Sequence, residues 1–460
     1  MDRRLRLLWV TPYLPRRGFS AAREYWWSLL VRLAPRHDIT LLAFVDPEDV
    51  DVKGILPEEL AAVHQVPKTP WRPDDPLAVL PRTVAGGFSN PAFASAIAAC
   101  LAQERYDLVQ YEFIEMANLI PPPVAPTILT VHQIGFADEG PMWRVQGRNV
   151  RRGAVFLHRY LRELDFELRA VRRVHHVITV SHEDAARLRR FHPDLRVSVS
   201  PVGVDCVHFR PPKEPVRSET DLVFVGTFVH PPNVDAVYFL AREVLPRLGR
   251  SVRVRVLGRG VTADVAALAR PGVVEITGAV PDVRPYLAGA AVVVAPVRFG
   301  TGMRGKVLEA LAMGRPVVTT SVGAEGLGAE SGRHLLIADG AEDFAAAIRR
   351  VLADSSLAGR LGAEGRSLVE TSFDWDVLAA AHEKIYEGVL RNPGPTPVWD
   401  GDSGFPRAGE VVRLGRWPGI AAGVAILMLR GVGWHMRGLR RRQPVTARRR
   451  LSTTNADTAT

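Results

Sequence analysis

Within residues 300–320, three glycines, a lysine and a glutamate fall in an order suited to binding a phosphate compound. Gly300, Gly302 and Gly305 open the segment, and Lys306 and Glu309 follow on what reads as a helix start. Glycine lets backbone N–H groups approach an oxyanion closely, the first helical turn presents roughly half a positive charge, and Lys306 adds a whole one. Three chemistries compete for these letters. Gly300, Gly302 and Gly305 spell a G-x-G-x-x-G dinucleotide fingerprint, with Glu325 about twenty residues on as the ribose-binding acid. Gly300, Gly305 and Lys306 suit a Walker A loop, except that Val307 stands where a hydroxyl must reach magnesium. In the third, Lys306 and Glu309 share one helix face, so that a cation meets a diphosphate while a carboxylate accepts hydrogen bonds from ribose hydroxyls. That pairing suits a nucleotide-sugar. Against all three stand a solvated helix pair at Lys306 and Glu309 and an unliganded turn at Gly302.

These residues need rigid elements around them, and the apolar patterning supplies them. Ala290-Ala291-Val292-Val293-Val294-Ala295-Pro296 reads as a buried strand running into the glycine loop, and a second apolar strand lies near Val317 and Val318. At the other end of the chain, Leu7-Leu8-Trp9-Val10 follows arginines in the manner of a signal peptide. The apolar run is too short, and Thr11-Pro12-Tyr13-Leu14-Pro15 ends it, so a first buried strand is expected. Gly18 falls in the next loop, a helix is expected over 21–33 and a strand over 39–45. Strand, loop, helix, strand is the opening of a doubly wound α/β domain, which binds ligands at the carboxyl ends of its strands. Further strands are expected at 108–111 and 127–131, the second followed at once by His132, and an arginine-rich helical stretch at 144–173. That stretch is either a solvated face or a contact for anionic lipid. Prolines 201, 211, 212 and 215 with Gly203 mark a domain boundary. Beyond it, strands alternate with helices expected over 234–248, 282–288, 306–313 and 341–352, and a further helix over 374–390.

The motifs together resemble the GT-B glycosyltransferases, specifically the retaining group known as family 4. Val294-Ala295-Pro296, then Gly302, Lys306, Val307, Leu308, Glu309, Ala310, Gly314, Pro316, Val317 and Val318 are similar to that family's donor signature. Phe224-Val225-Gly226 with Pro232-Asn233, and Thr277-Gly278-Ala279-Val280-Pro281-Asp282 with Tyr286-Leu287, follow its order and spacing, as do Val177-Ile178-Thr179-Val180-Ser181 and Pro201-Val202-Gly203-Val204-Asp205. The resemblance spans residues 5–390. It implies an α/β fold of two Rossmann-like, doubly wound domains facing a cleft, closed by a C-terminal crossover helix. The expected organisation is an acceptor-side domain over 1–200, a linker over 201–215, a nucleotide-sugar-binding domain over 216–372, the crossover helix over 373–391 and a basic tail over 392–460.

The resemblance further implies transfer of a sugar from a nucleotide-sugar donor to a lipid-linked or polysaccharide acceptor. His132, Lys306 and Glu309 are then the expected catalytic residues, and Gly18, Gly226, Val280, Thr301, Gly302, Met303 and Arg304, again with Lys306 and Glu309, the expected donor contacts. A structural histidine at a strand end is the other reading of His132. A nucleotide-sugar epimerase, or a nucleotide-sugar-binding protein without transfer, is the other reading of the whole. Two positions depart from the family. Thr301 stands where many retaining members carry another glutamate, and Thr227, His230, Pro231 and Pro232 stand after Gly226 where many have arginine and lysine. Diphosphate neutralisation would then rest on Lys306, Arg304 and helix N-termini. No cofactor or metal is expected. The D-x-D pairs Asp49/Asp51 and Asp400/Asp402 lie away from the expected donor site.

Composition bounds the remainder. The chain has 460 residues, 47% hydrophobic and 23% charged, which suits more than one ordinary globular domain. Cys100 and Cys206 are the only cysteines, so neither a disulfide framework nor a zinc site is indicated and a cytoplasmic setting is expected. The net charge of +10 is concentrated at one end: residues 401–460 hold eleven arginines against three acids, leaving the first 400 residues at +2. No nucleic-acid motif accompanies it, and a nucleic-acid partner is not expected. The tail also holds an uncharged run over 417–429, too short for the roughly twenty residues that span a bilayer. Peripheral contact with an anionic membrane surface and a disordered segment with one short helix both suit it.

Overall fold

The computed structural model describes residues 3–17, 21–46, 55–68, 88, 90–136, 150–213, 221–249, 252–300 and 302–397, with side chains at 21, 22 and 150–159 not described. Gly18, Thr301, both D-x-D pairs and the tail beyond 397 lie outside these residues.

Two all-parallel sheets form the frame. The first contains β1 (Arg6–Thr11), β2 (Asp38–Val45), β3 (Ala62–Pro67), β4 (Leu108–Glu112), β5 (Thr127–Val131), β6 (His176–Thr179) and β7 (Val197–Val199), in the order β3-β2-β1-β4-β5-β6-β7. The second contains β8 (Asp221–Val225), β9 (Arg253–Leu257), β10 (Val274–Gly278), β11 (Val292–Ala295), β12 (Val317–Thr319) and β13 (Leu336–Ile337), in the order β10-β9-β8-β11-β12-β13. Each order reverses beside its first strand, which places a ligand-binding crevice at the strand ends there. The central strands are buried on both faces, and so read as continuous apolar runs without alternation. Gln110, Glu112 and Thr130 are buried polar exceptions in this frame.

Helices connect the strands: α1 (Ala21–Leu33), α2 (Pro91–Gln103), α3 (Val150–Ala170) and α4 (His182–Phe191) in the first half, then α5 (Pro231–Phe239), α6 (Ala263–Ala266), α7 (Arg284–Gly289), α8 (Gly305–Ala312), α9 (Ala341–Ala353), α10 (Ser355–Ser372) and α11 (Trp375–Arg391). The single helix expected over 234–248 is three conformations in sequence. α5 starts at Pro231, widens to a π turn over Leu240–Val244 and tightens to a 3-10 turn over Leu245–Arg247. Pro246 has no N–H to continue the α ladder, which accounts for the tightening.

α11 follows the second sheet in sequence yet packs on the first. Trp375, Leu378, Ala379, Tyr386 and Val389 share a core with Trp9, Trp26, Leu29 and Leu33. The Asp374 side chain caps its first turn, accepting from the Asp376 N–H at 2.9 Å and from the Cys206 N–H at 3.2 Å. Arg32–Asp376 and Arg36–Glu383 pairs lie on the rim of this contact, where solvent screens them, so the buried aromatic surface dominates the docking.

Candidate functional site

The loop between β11 and α8 turns through left-handed glycines, with φ of +107° at Gly300 and +79° at Gly302. Arg304 holds this loop in shape: its guanidinium donates to the Gly302 carbonyl at 2.6 Å and the Gly300 carbonyl at 2.8 Å. The sequence reads Arg304 as a cation for a diphosphate, whereas these bonds direct it at its own loop. Met303 packs, partly buried, against the apolar core beneath α8, as does Val280.

Lys306 points from the first turn of α8 into a pocket made by β8 and α5. Its Nζ donates to Asn233 Oδ1 at 2.5 Å and lies 4.5 Å from the Phe224 ring centroid, and Asn233 Nδ2 donates to the Thr227 carbonyl at 2.8 Å. Gly226 is the wall of this pocket. A Cβ there would come within 2.9 Å of Phe224 Cε1, closer than side chains pack, and within 3.1 Å of Asn233 Cγ and 3.2 Å of Lys306 Nζ, tight enough to push both aside. Withdrawal from water, reinforced by Arg304 and opposed by Glu309, pushes the Lys306 ammonium down to about 7. Withdrawal from water also pushes Glu309 up to about 7, against the pull of Lys306 and with a push from Glu24 of α1. Both groups are thus poised between charged and neutral, and an arriving anion favours the ammonium.

His132 follows β5 in the first sheet, and the second domain reaches it through the glycine loop: a Cβ built on Gly302 would stand 3.4 Å from the His132 carbonyl oxygen. The imidazole is boxed by aromatic rings, with Phe113 stacked at 4.7 Å and Tyr25 edge-on at 4.8 Å. Phe113 has a φ of +74°, the one non-glycine residue with positive φ among those described, and this strained turn lays its ring on the histidine.

Sequence reasoning missed Glu112, the last residue of β4. Its carboxylate is wholly buried and accepts from every side: Oε1 from Trp9 Nε1 at 2.8 Å, Thr130 Oγ1 at 3.2 Å and Gln110 Nε2, and Oε2 from Trp26 Nε1 at 2.9 Å and His132 Nε2 at 2.9 Å. Burial alone would raise its pKa, but the bonds from His132, Gln110 and Trp9 outweigh it, and the carboxyl is held below its ordinary value. A signal was present. Gln110 and Glu112 are two apart in a strand and so share one face, an unusual pair in a strand otherwise buried and apolar.

Glu325, the ribose acid of the dinucleotide reading, is committed elsewhere. It accepts from Arg187 of α4 at 2.5 Å, joining the two domains. A groove of about 570 Å³ opens beside this pair between α4 and residues 321–329, and His132, Lys306 and Glu309 are not among its lining. Among the described residues no three His, Cys, Asp or Glu side chains group as a metal site would require.

The family model described as Glycosyltransferase Family 4 matches residues 22–208, and the model described as Glycosyl transferases group 1 matches residues 219–354. The chain belongs to the group 1 and family 4 glycosyltransferases. The first match takes in β2 to β7 and the second β8 to β13, and Gly226, Asn233, Lys306 and Glu309 fall inside the second. A curated relative named for teichuronic acid biosynthesis, the glycosyltransferase TuaC of Bacillus subtilis (strain 168), is 30% identical over 239 residues. The match takes in 48% of this chain and spans 58% of that relative's length. Among solved structures, sucrose-phosphate synthase from Thermosynechococcus elongatus superimposes with a TM-score of 0.63 at 19% identity, over 84% of this chain and all of that one. HepE from Anabaena, solved in complex with UDP, gives 0.60 at 13% identity over 84% and 100%. Likenesses at such identity speak for the fold, and the fold is GT-B.

Proposed function

We propose that the chain transfers a sugar from a nucleotide-sugar to a lipid-linked or polysaccharide acceptor. One observation supports this most: the glycine loop that introduces Lys306 and Glu309 in the second domain meets the backbone of His132 in the first, so that diphosphate, ribose and sugar each have a group waiting. The diphosphate lies at the α8 N-terminus against Lys306, the ribose hydroxyls donate to Glu309, and the sugar faces His132. As the glycosidic bond lengthens, charge gathers on the departing phosphate and the sugar becomes oxocarbenium-like. Lys306, protonated from solvent when the diphosphate binds, meets that charge within a pocket held by Asn233, where an ion pair is stronger than in water. The proposal gives no role to a metal ion. The UDP bound in HepE supports a uridine donor, and the teichuronic acid role in the name of TuaC supports a cell-envelope acceptor.

The test is release of nucleoside diphosphate from a panel of UDP-, GDP- and ADP-sugars with and without acceptor. Release that depends on acceptor supports transfer, and conversion of the sugar nucleotide alone shows epimerisation instead. Glu309→Ala is expected to weaken donor binding by about 1.5 to 3 kcal/mol, the scale of a hydrogen bond to a charged group. Unchanged donor affinity by calorimetry would remove the ribose assignment.

For location, no helix among the described residues is long and apolar enough to cross a membrane. We assign the arginine-rich segment beyond 401 to peripheral contact with anionic lipid at the cytoplasmic face. Full-length protein is expected to float with anionic liposomes and a chain ending at Asn392 to remain behind. Equal flotation of the two would discard the assignment.

A further inference from the structure

The polar face of β4 continues past Glu112 into the last helix. Gln110 is 1% exposed, and its neighbours orient its amide. The Tyr386 hydroxyl donates to Gln110 Oε1 at 2.5 Å, while Gln110 Nε2 donates to Glu112 and lies 3.2 Å from His382 Nε2. Burial pushes His382 down to about 4, so the ring is neutral and carries one proton. Both amide atoms of Gln110 lie near His382 Nε2, Nε2 at 3.2 Å and Oε1 at 3.3 Å, and His382 Nδ1 meets the Ser200 hydroxyl at 3.2 Å. Ser200 accepts from the Tyr25 hydroxyl at 3.3 Å, and the Tyr25 ring stands edge-on to His132. The contacts therefore close a circuit: His132, Glu112, Gln110, His382, Ser200, Tyr25 and back to His132. A helix that only needed to dock would do so on apolar side chains, as most of α11 does. A fully satisfied polar chain between a docking helix and one histidine instead fixes the direction of that histidine.

We propose that Glu112, braced through Gln110 by His382 and Tyr386 of α11, is the positioning residue that fixes the direction of the His132 ring and holds a proton on its Nε2. The consequence for catalysis rests on the sugar-transfer reading, whereas the place of that proton does not. Glu112→Gln makes the point sharply. Three donors converge on Oε1 and two on Oε2, so the new amide nitrogen takes the less crowded side, facing His132, while the Trp26 indole N–H loses its carboxylate acceptor there and keeps only His132 Nε2, at 3.3 Å, within reach. The new amide N–H then donates to the ring and drives the proton from Nε2 to Nδ1.

The experiment is long-range proton–nitrogen correlation on ligand-free, full-length protein labelled with ¹⁵N-histidine, with His132 assigned by the signal lost in His132→Asn. Wild type is expected to show His132 protonated at Nε2, and Glu112→Gln to show it protonated at Nδ1. In the transfer assay, the same variant is expected to lower kcat by about 10- to 100-fold with donor KM within about twofold, the range of ligand-orienting partners. Tyr386→Phe removes a single oxygen at the far end and is expected to move the His132 nitrogen shifts. A wild-type Nδ1–H tautomer, or an unaltered tautomer in Glu112→Gln, overturns the positioning role, and unmoved shifts in Tyr386→Phe overturn the bracing by α11. Because the spectra need no ligand and the wild-type result needs no variant, they support or overturn the proposal whether or not transfer is detected.

Discussion

Lys306→Met is expected to lower kcat for transfer about 10²- to 10³-fold, the loss of about 2.7 to 4 kcal/mol seen when one group aimed at developing negative charge is removed. Methionine keeps the length of the side chain and its contact with Phe224, so the loss falls on the charge. Ligand-free stability is expected to move the other way. An unfolded lysine titrates near 10.4 and this one, folded, at about 7, so the unfolded chain binds more protons between those values. Stability contributed by Lys306 is therefore lowest below pH 7 and rises with pH across that window. Thermal melts of ligand-free protein should show Lys306→Met at least as stable as wild type at pH 7, with the advantage shrinking towards pH 10. A diphosphate reverses the balance by restoring the ammonium, so nucleotide binding at pH 8 takes up a proton. Calorimetry in buffers of different ionisation enthalpy reads that uptake, and in Lys306→Met it should vanish. A variant with wild-type kcat would end the assignment of Lys306 to the leaving group.

Gly258→Ala is expected to destabilise the fold by about 3 kcal/mol or more, in the range of mutations that combine backbone strain with overlap in a packed core. Gly258 follows β9 with a φ of +145°, and a Cβ there would lie 1.5 Å from the Gly226 carbonyl oxygen. The backbone must separate, yet its N–H is bonded to the Gly278 carbonyl at 2.8 Å, and the Gly226 N–H to the Leu257 carbonyl at 2.9 Å. Since Gly226 walls the Lys306 pocket, any folded remnant should also bind nucleotide poorly. Gly289→Ala is the control, with nothing within 4 Å of the added carbon. A Gly258→Ala melting temperature within a degree or two of that control would show that the close approach is wrong.

These residues differ in how far the amino-acid order reveals them. Lys306 and Glu309 are legible because three-residue spacing on a helix start means one face, and flanking strands in apolar code place that start at a sheet edge. His132 is legible only through resemblance, since one histidine after one strand has many explanations. Arg304 was read by charge alone. Its commitment to the Gly300 and Gly302 carbonyls depends on two left-handed turns that glycine permits but does not announce. Asn233 was legible as part of a motif, but its bond to Lys306 spans 73 residues. Glu112 was hidden for a different reason: its five donors come from Trp9, Trp26, Gln110, Thr130 and His132, and local order does not encode such convergence.

The docking of α11 also dictates a schedule for the nascent chain. The cores on either face of the second sheet use no residue beyond Phe373, whereas the core shared by β1, α1 and α11 needs Trp375 to Val389. During synthesis the first half emerges with the α1 face of its sheet still lacking the helix that completes its core, and the second half, made later, has everything it needs first. The exposed Trp9, Trp26 and Leu29 surface must wait through roughly 180 further residues, on the order of 10 to 40 s at 5 to 20 residues per second, before its cover leaves the ribosome. Ribosome release or a stop codon shortly before Trp375 would therefore yield a chain whose later half is folded and whose earlier half is a client for chaperones.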